Sequence, residues 1–256
     1  MRLRRSSSRF RWWRSFHFLD AAPSEAHIDL MAETRSVYLA WSGGKDSSIT
    51  LRLLKEDGIE VRGLLTTLSG PERRISMHGV PESLLDEQAD ALGLPILKVA
   101  LPDNASDETY RKFMTEATAR IQSEGVDTIA FGDIFLEDLR EWREQQLAGA
   151  GMQALFPLWK MHTGDLAIRF LEEGFQAVVT SLDASKLPTE MLGRFYDEDF
   201  LHDLPDGVDP CGENGEFHTF VFAGPVFERM VAFRSGEVRQ ATAPFVYLDV
   251  FPKHER

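Results

Sequence analysis

The sequence predicts an α/β protein, a mostly parallel sheet flanked by helices and followed by a smaller α+β region. Three observations carry this reading. Apolar runs of strand length at 36–41, 59–68, 95–101, 127–132 and 176–182 alternate with stretches of helical spacing, and that alternation implies βαβ units. Runs such as DTIAFG (127–132) are nearly continuous in apolar residues, as expected of strands covered on both faces. Beyond about residue 160 the texture changes to aromatic-rich runs joined by Gly and Pro turns.

Taken in order, the run Val37–Trp41 forms the first strand and breaks into SGGKDSS (42–48), which opens a helix closed by Gly58. Leu84, Leu85, Gln88, Ala89 and Leu92 form a second helical stripe. Pro81 near its start and Gly93 just past its end are the expected start and stop signals. Tyr110, Phe113, Met114, Ala117 and Ile121 form a third stripe ended by Gly125, and a fourth helix runs from Leu136 to about Ala148. A helix-like segment (162–173), a strand and a Asp-, Pro- and Gly-rich stretch follow, and the end of the chain reads as strands. The expected division is therefore 31–160 and 161–256, with no internal repeat.

Composition narrows the possibilities. The 256 residues carry a formal net charge of -13, which argues against a nonspecific grip on nucleic acid or an acidic membrane surface. The single cysteine, Cys211, permits no intrachain disulfide and suits a reducing, cytoplasmic setting. No apolar stretch approaches the roughly 18 residues a membrane span needs. The first thirty residues hold six arginines and no acid before Asp20. They read as a targeting extension or as an over-extended reading frame, with Met31 as the expected start. Either way they are excluded from the fold.

In a parallel α/β sheet ligands bind beyond the carboxyl ends of the strands. A glycine-rich turn there lets backbone N–H groups converge on an anion, and the helix N-terminus adds its dipole. The Walker pattern fails, because Leu39 stands where its first glycine belongs and Asp46 follows Lys45. The G-x-G-x-x-G pattern also fails, with only Gly43 and Gly44 present. An ordinary strand-to-helix turn capped by Ser or Asp is the plain alternative.

SGGKDS resembles the pyrophosphate loop of the PP-loop ATP pyrophosphatases. With GDI and R-x-W-x-E (132–144), PLW (157–159) and CGENGEFHT (211–219), the sequence closely resembles the diphthine–ammonia ligase family over nearly all of residues 36–250. The last motif is the most specific. The resemblance implies a Rossmann-like (HUP-type) PP-loop domain, ATP and Mg²⁺ as cofactors, and adenylation of a carboxylate that ammonia then converts to an amide. It implies a cradle for the β- and γ-phosphates from Ser42, Gly43, Gly44, Lys45, Asp46 and Ser47, with Lys45 supplying fixed positive charge and Asp46 facing the metal. It places His78, within MHGVP (77–81), and Gly132 and Asp133 along the nucleotide. The acceptor in the named reaction is diphthine of elongation factor 2. The oligomeric state stays open, a homodimer included.

Each remaining candidate has two readings. Asp133 contacts magnesium or ribose, or it caps the following helix. Arg140 and Trp142 touch substrate, or Arg140 joins Glu137 and Glu144 in a solvated helix face. His78 contacts ligand or packs a turn. Glu213 and Glu216 flank Asn214-Gly215, a hairpin-turn dipeptide. With Cys211, Gly212 and His218 they make a charged turn or a substrate or ammonia site, the latter being the expectation, with both acids catalytic. The rivals are tRNA thiolation, disfavoured by the lone cysteine and the negative charge, and a nucleotide-binding module without turnover. Zinc is not expected, since Cys211 and His218 stand seven apart with no C-x-x-C partner.

Overall fold

The computed structural model describes residues 34–102, 105–240 and 243–253. The 1–30 segment, read as an extension or a mis-set start, lies outside the described residues.

The first sheet contains β1 (Ser36–Ala40), β2 (Glu60–Ser69), β3 (Arg74–Ile75), β4 (Ile96–Ala100), β5 (Thr128–Ala130) and β6 (Gln153–Leu155). Five of these run parallel in the order β4-β2-β1-β5-β6, and β3 pairs antiparallel with the end of β2. The period-2 alternation of a strand explains why β1 is apolar throughout. Val37 and Leu39 point into one buried cluster, whereas Tyr38 points into another on the opposite face. Helices α1 (Lys45–Glu56) and α2 (Glu82–Leu92) cover the first face with Ile49, Leu54, Leu84 and Leu85. Helices α3 (Asp107–Ser123) and α4 (Glu137–Ala148) cover the second with Ala117, Ile121 and Leu147. The anticipated stop at Gly93 is present as a left-handed cap with φ of 65°. The strands β3 and β6 were not anticipated. At two and three residues each, they are too short to show a period.

From β1 the chain moves outward through β2 to β4, then returns to β5 and β6 on the other side. This reversal opens a crevice at the carboxyl ends of β1 and β5, where the 42–48 loop and the 131–136 segment meet.

The second part holds α5 (Thr163–Glu172), β7 (Gln176–Asp183), α6 (Glu198–His202), β8 (Phe217–Ala223), β9 (Phe233–Gln240) and β10 (Phe245–Pro252). Its strands form an antiparallel sheet in the order β8-β7-β10-β9. Phe170, Phe217, Phe220 and Val221 share one buried cluster with Leu39, Ile49 and Leu84 of the first part, so the two sheets are joined by a common core. An edge strand exposes unpaired backbone groups. Here the glycine loop covers the edge of β8: the Val221 N–H donates to Gly43 O at 2.9 Å. The Lys45 N–H donates to Thr219 Oγ1 at 3.1 Å. Among the described residues no helix is long and apolar enough to cross a membrane.

Candidate active site

The glycine loop is shaped by the walls around it. Gly43 has φ of +76°, a backbone region that L side chains rarely adopt. A Cβ there would lie 2.6 Å from Gln88 Oε1, and one on Gly44 would lie 2.8 Å from His78 Cε1. The loop therefore needs glycine for its packing as well as for its turn. The hydroxyls of Ser47 and Ser48 donate to Gly44 O at 3.0 and 2.9 Å, tying the loop to the first turn of α1. Ser42 Oγ accepts from the Gly44 N–H at 3.3 Å. The positive end of the α1 dipole and the Lys45 ammonium make this loop suited to an anion.

Lys45 is nearly sealed from solvent, its side chain 5% exposed, and pairs with Asp46 at 2.9 Å. Its ammonium lies over the Phe217 ring at 5.2 Å. Burial opposes its charge, yet the Asp46 carboxylate, with Cys211 and Glu213 nearby, holds its pKa above the ordinary lysine value. The opposite side of the crevice is close. A Cβ on Gly132 would lie 3.1 Å from the Asp46 carbonyl carbon and from Thr50 Oγ1, so the segment after β5 packs tightly against the first turn of α1.

The 209–218 motif presents two faces. Glu213 reaches the crevice: its Oε1 accepts from the Ile134 and Phe135 N–H groups at 2.7 and 3.3 Å. Burial and then the Asp46 charge push its carboxyl up to about 7. Glu216 turns elsewhere. It is 2% exposed, and its Oε1 accepts from Asn214 Nδ2 at 3.1 Å and from the Asp209 N–H at 3.4 Å. Asp209 Oδ1 accepts from the N–H groups of Cys211 and Glu213, which sets the turn. Cys211 donates its thiol proton to Thr163 O at 3.3 Å, and burial pushes its pKa well up. It is a packed thiol, and its Sγ is no ready nucleophile. Gly212 has φ of +65°, and a Cβ there would come within 2.7 Å of Phe217 O.

His218 packs on His78 with ring centroids 4.5 Å apart and ring planes tilted by 38°, and His78 Nδ1 lies 3.2 Å from Thr219 O. Burial lowers both imidazoles, His78 to about 4, with the Lys45 charge adding to the effect. Both rings are therefore neutral at pH 7, and the His78 ring sits beside Gly44. His218 thus backs His78 on the far side from the loop, while Asn214 and Glu216 line a separate depression.

Asp133 is buried and pairs with Arg143 at 2.9 Å. Arg143 lies over the Phe131 ring at 4.4 Å. Arg140 pairs with Glu144 at 2.7 Å and rests on the Trp159 ring at 4.6 Å. It thereby joins the R-x-W-x-E and PLW segments. Trp142 packs on Tyr110 of α3, ring centroids 5.5 Å apart.

Three contributors were missed in the sequence: Arg143, Thr219 and Gln88. The fully buried Gln88 accepts from Trp41 Nε1 at 3.0 Å and donates to Gly43 O at 3.0 Å and Val221 O at 2.7 Å. Its signal was visible, a polar residue within an otherwise apolar helical stripe.

Fold and site together define an α/β protein with a glycine loop at its sheet reversal, closed by a C-terminal antiparallel unit. Residues 35–154 match the family described as Diphthamide synthase N-terminal domain, and residues 162–247 match Diphthamide synthase C-terminal domain. The chain belongs to this diphthamide synthase family. The human diphthine–ammonia ligase is 26% identical over 240 residues, which cover 83% of this chain and 90% of the relative. The Danio rerio diphthine–ammonia ligase is 24% identical over 217 residues, covering 77% and 85%. A tRNA-specific 2-thiouridylase of Sulfurimonas denitrificans is 32% identical over 82 residues, 32% of this chain and 23% of that protein.

Proposed function

We propose that this chain is an ATP-dependent ligase that adenylates a carboxylate of diphthine or a diphthine-like side chain and joins ammonia to it as an amide. One observation carries the reading: in a member of this family, Glu213 of the 209–218 motif is bonded to the segment after β5 and electrostatically coupled to Asp46 of the glycine loop. Nucleotide chemistry and amide formation then share a crevice. In this reading residues 31–160 hold the nucleotide and 161–256 the acceptor.

ATP phosphates are assigned to Ser42, Gly43, Gly44, Lys45, Asp46 and Ser47, with His78, Gly132 and Asp133 along the nucleotide. The acceptor carboxylate attacks the α-phosphorus, the bond to the bridging oxygen breaks, and pyrophosphate leaves. Ammonia then forms a C–N bond to the acyl carbon, and AMP departs with the electron pair of the broken C–O bond. The proton lost by nitrogen passes to the Glu213 carboxylate, whose pKa near 7 suits a general base at neutral pH. Glu216, Cys211, Gly212, Asn214 and His218 are assigned to the acceptor and ammonia region, and Arg140 and Trp142 to its rim.

The residues present suit Mg²⁺ that arrives with nucleotide. Asp46 gives one oxygen to Lys45, and its side chain is 30% exposed. No group of three or more His, Cys, Asp or Glu among the described residues could hold a metal, as expected where phosphates supply most ligands. Bound there, Mg²⁺ would neutralise phosphate charge. We place the protein in the cytoplasm, with elongation factor 2 as acceptor where the source makes diphthamide. Thiolation finds less support, since Cys211 is buried and engaged.

The test is product analysis. ATP–Mg²⁺ with ammonium and a diphthine-bearing acceptor should yield AMP and pyrophosphate, and chromatography showing only ADP would defeat the reading.

A further inference from the structure

The turn that carries His78 is strained and held from outside. Arg73 and Met77, on either side of β3, have φ of 48° and 66°, a backbone region that residues other than glycine keep only where their surroundings over-determine it. The Gly79 N–H donates to Ile75 O at 3.1 Å and the Ile75 N–H to Val80 O at 2.8 Å, closing the turn. His78 abuts the glycine loop, so that a Cβ on Gly44 would lie 2.8 Å from His78 Cε1. The outer hold comes from Arg74. Its side chain is 13% exposed, and its Nη1 donates to Gly79 O at 2.7 Å. Its Nη2 pairs with Asp249 of β10 at 2.9 Å, and its Nε donates to Glu72 at 2.7 Å. The guanidinium lies over the Tyr247 ring at 5.5 Å. The same side chain walls Gly79, where a Cβ would come within 3.2 Å of it.

Asp249 is 2% exposed and also pairs with Arg239 at 2.5 Å. One guanidinium would neutralise it. Arg74 is the one that goes on to the turn, because its planar fork reaches a carboxylate and a carbonyl at once. A chain of contacts thus runs from β10 of the second sheet through Arg74 and Gly79 to His78 and Gly44. We propose that Arg74 is a positioning residue for the glycine loop: anchored on Asp249 and Tyr247, it seats His78 against Gly44 and thereby sets how tightly the loop holds ATP. This role rests on the ligase reading, which supplies ATP as the ligand. His78 faces the Lys45 charge, the His218 imidazole and the Thr219 carbonyl. A ring held neutral among them gives the loop a wall, so where it stands matters more than what charge it carries.

The test reads the seat of His78 and the affinity of the loop separately. The full chain, ¹³C-labelled at histidine Cε1, is titrated by NMR, and ATP–Mg²⁺ binding is measured by calorimetry without acceptor or ammonium. Wild-type His78 should titrate at about 4. Arg74→Lys keeps a cation for Asp249 but gives up the fork. His78 should then loosen toward solvent and titrate closer to the ordinary 6.5, and ATP should bind about fivefold more weakly. Tyr247→Leu, a milder change at a half-buried ring, should move both readings the same way and decides the matter if Arg74→Lys fails to fold. Arg229→Gln breaks another ion pair between the two parts, Arg229 to Glu87 at 3.0 Å, and should move neither reading. Lower stability in Arg74→Lys with the His78 titration unchanged would make Arg74 a brace of the fold alone and overturn the proposal. A moved His78 with ATP affinity intact would overturn it too. Wild type that binds no ATP would defeat the ligase reading, and the His78 titration would still decide the seat.

Discussion

Glu213 and Ile134 lie 79 residues apart and are joined by a 2.7 Å hydrogen bond from the Ile134 N–H to the Glu213 carboxylate. The bond ties the C-terminal motif to the segment that leaves β5. Burial and then the Asp46 charge push that carboxyl up to about 7, against the lowering effect of this bond.

A pH signature follows. Amide formation should rise with pH through about 7 as Glu213 ionises. Glu213→Gln should lose that limb and fall by roughly 10²–10⁴, the usual range for a general base. Stability moves oppositely. The folded pKa is raised above the unfolded 4.5, so the stability this group contributes is complete below about pH 4.5 and is lost as pH rises through about 7. Urea melts across that range should show the wild type losing ground to Glu213→Gln. A pH–rate profile unchanged in shape by the substitution would return Glu213 to a turn residue.

The parallel sheet was legible because its strands and helices carry local periods, and the loop because SGGKDS has a compact chemistry. The partners of these groups were not. Asp133 reads as a crevice carboxylate, yet Arg143, ten residues on, neutralises it. His218 reads as part of the acceptor motif, yet its ring packs on His78 because strand alternation turns it away from Phe217 and Thr219, which face Lys45. Such pairings depend on how β8 meets the loop, a contact across some 175 residues that no local pattern encodes.

Asp46→Asn tests the ion pair. Burial raises the Asp46 carboxyl despite the pull of Lys45, and the amide oxygen of Asn still accepts from that ammonium, so the substitution should cost no more than about 1–2 kcal/mol of stability, read by calorimetry. Mg²⁺-dependent pyrophosphate release should fall by far more, about a hundredfold. A melting-temperature drop that accounts for the whole activity loss would make Asp46 a structural partner of Lys45 alone.

The imidazole pair predicts acid sensitivity. His78 has its pKa lowered to about 4 by burial and then by Lys45. A depressed pKa means the stability it contributes is complete above about 6.5 and is lost as pH falls through about 4. His78→Asn retains an N–H near the Nδ1 position facing Thr219 O. The variant should escape up to about 3 kcal/mol of the wild-type loss between pH 7 and 4. Parallel acid titration curves for the two proteins would show that the His78 ring is already solvated.

Gln88 offers the sharpest test of how the two parts are joined. Its side chain is fully buried and occupies three partners at once: the Trp41 indole, the Gly43 carbonyl of the loop and the Val221 carbonyl of β8. Gln88→Leu preserves much of the volume but strands the buried Trp41 N–H. A buried donor left unpaired costs about 1–3 kcal/mol, so the variant should lose at least that much stability in urea melts. The Gly43 carbonyl keeps its bond from the Val221 N–H, which should hold the fold together. What changes is the wall behind the loop, since Gly43 sits against Gln88 so closely that a Cβ would collide with it. The loop then loses its fixed backbone, and ATP affinity measured by calorimetry at pH 7 should fall about tenfold, the cost of about 1.4 kcal/mol in positioning. Stability lost with ATP affinity intact would make Gln88 a strut of the core with no part in shaping the loop.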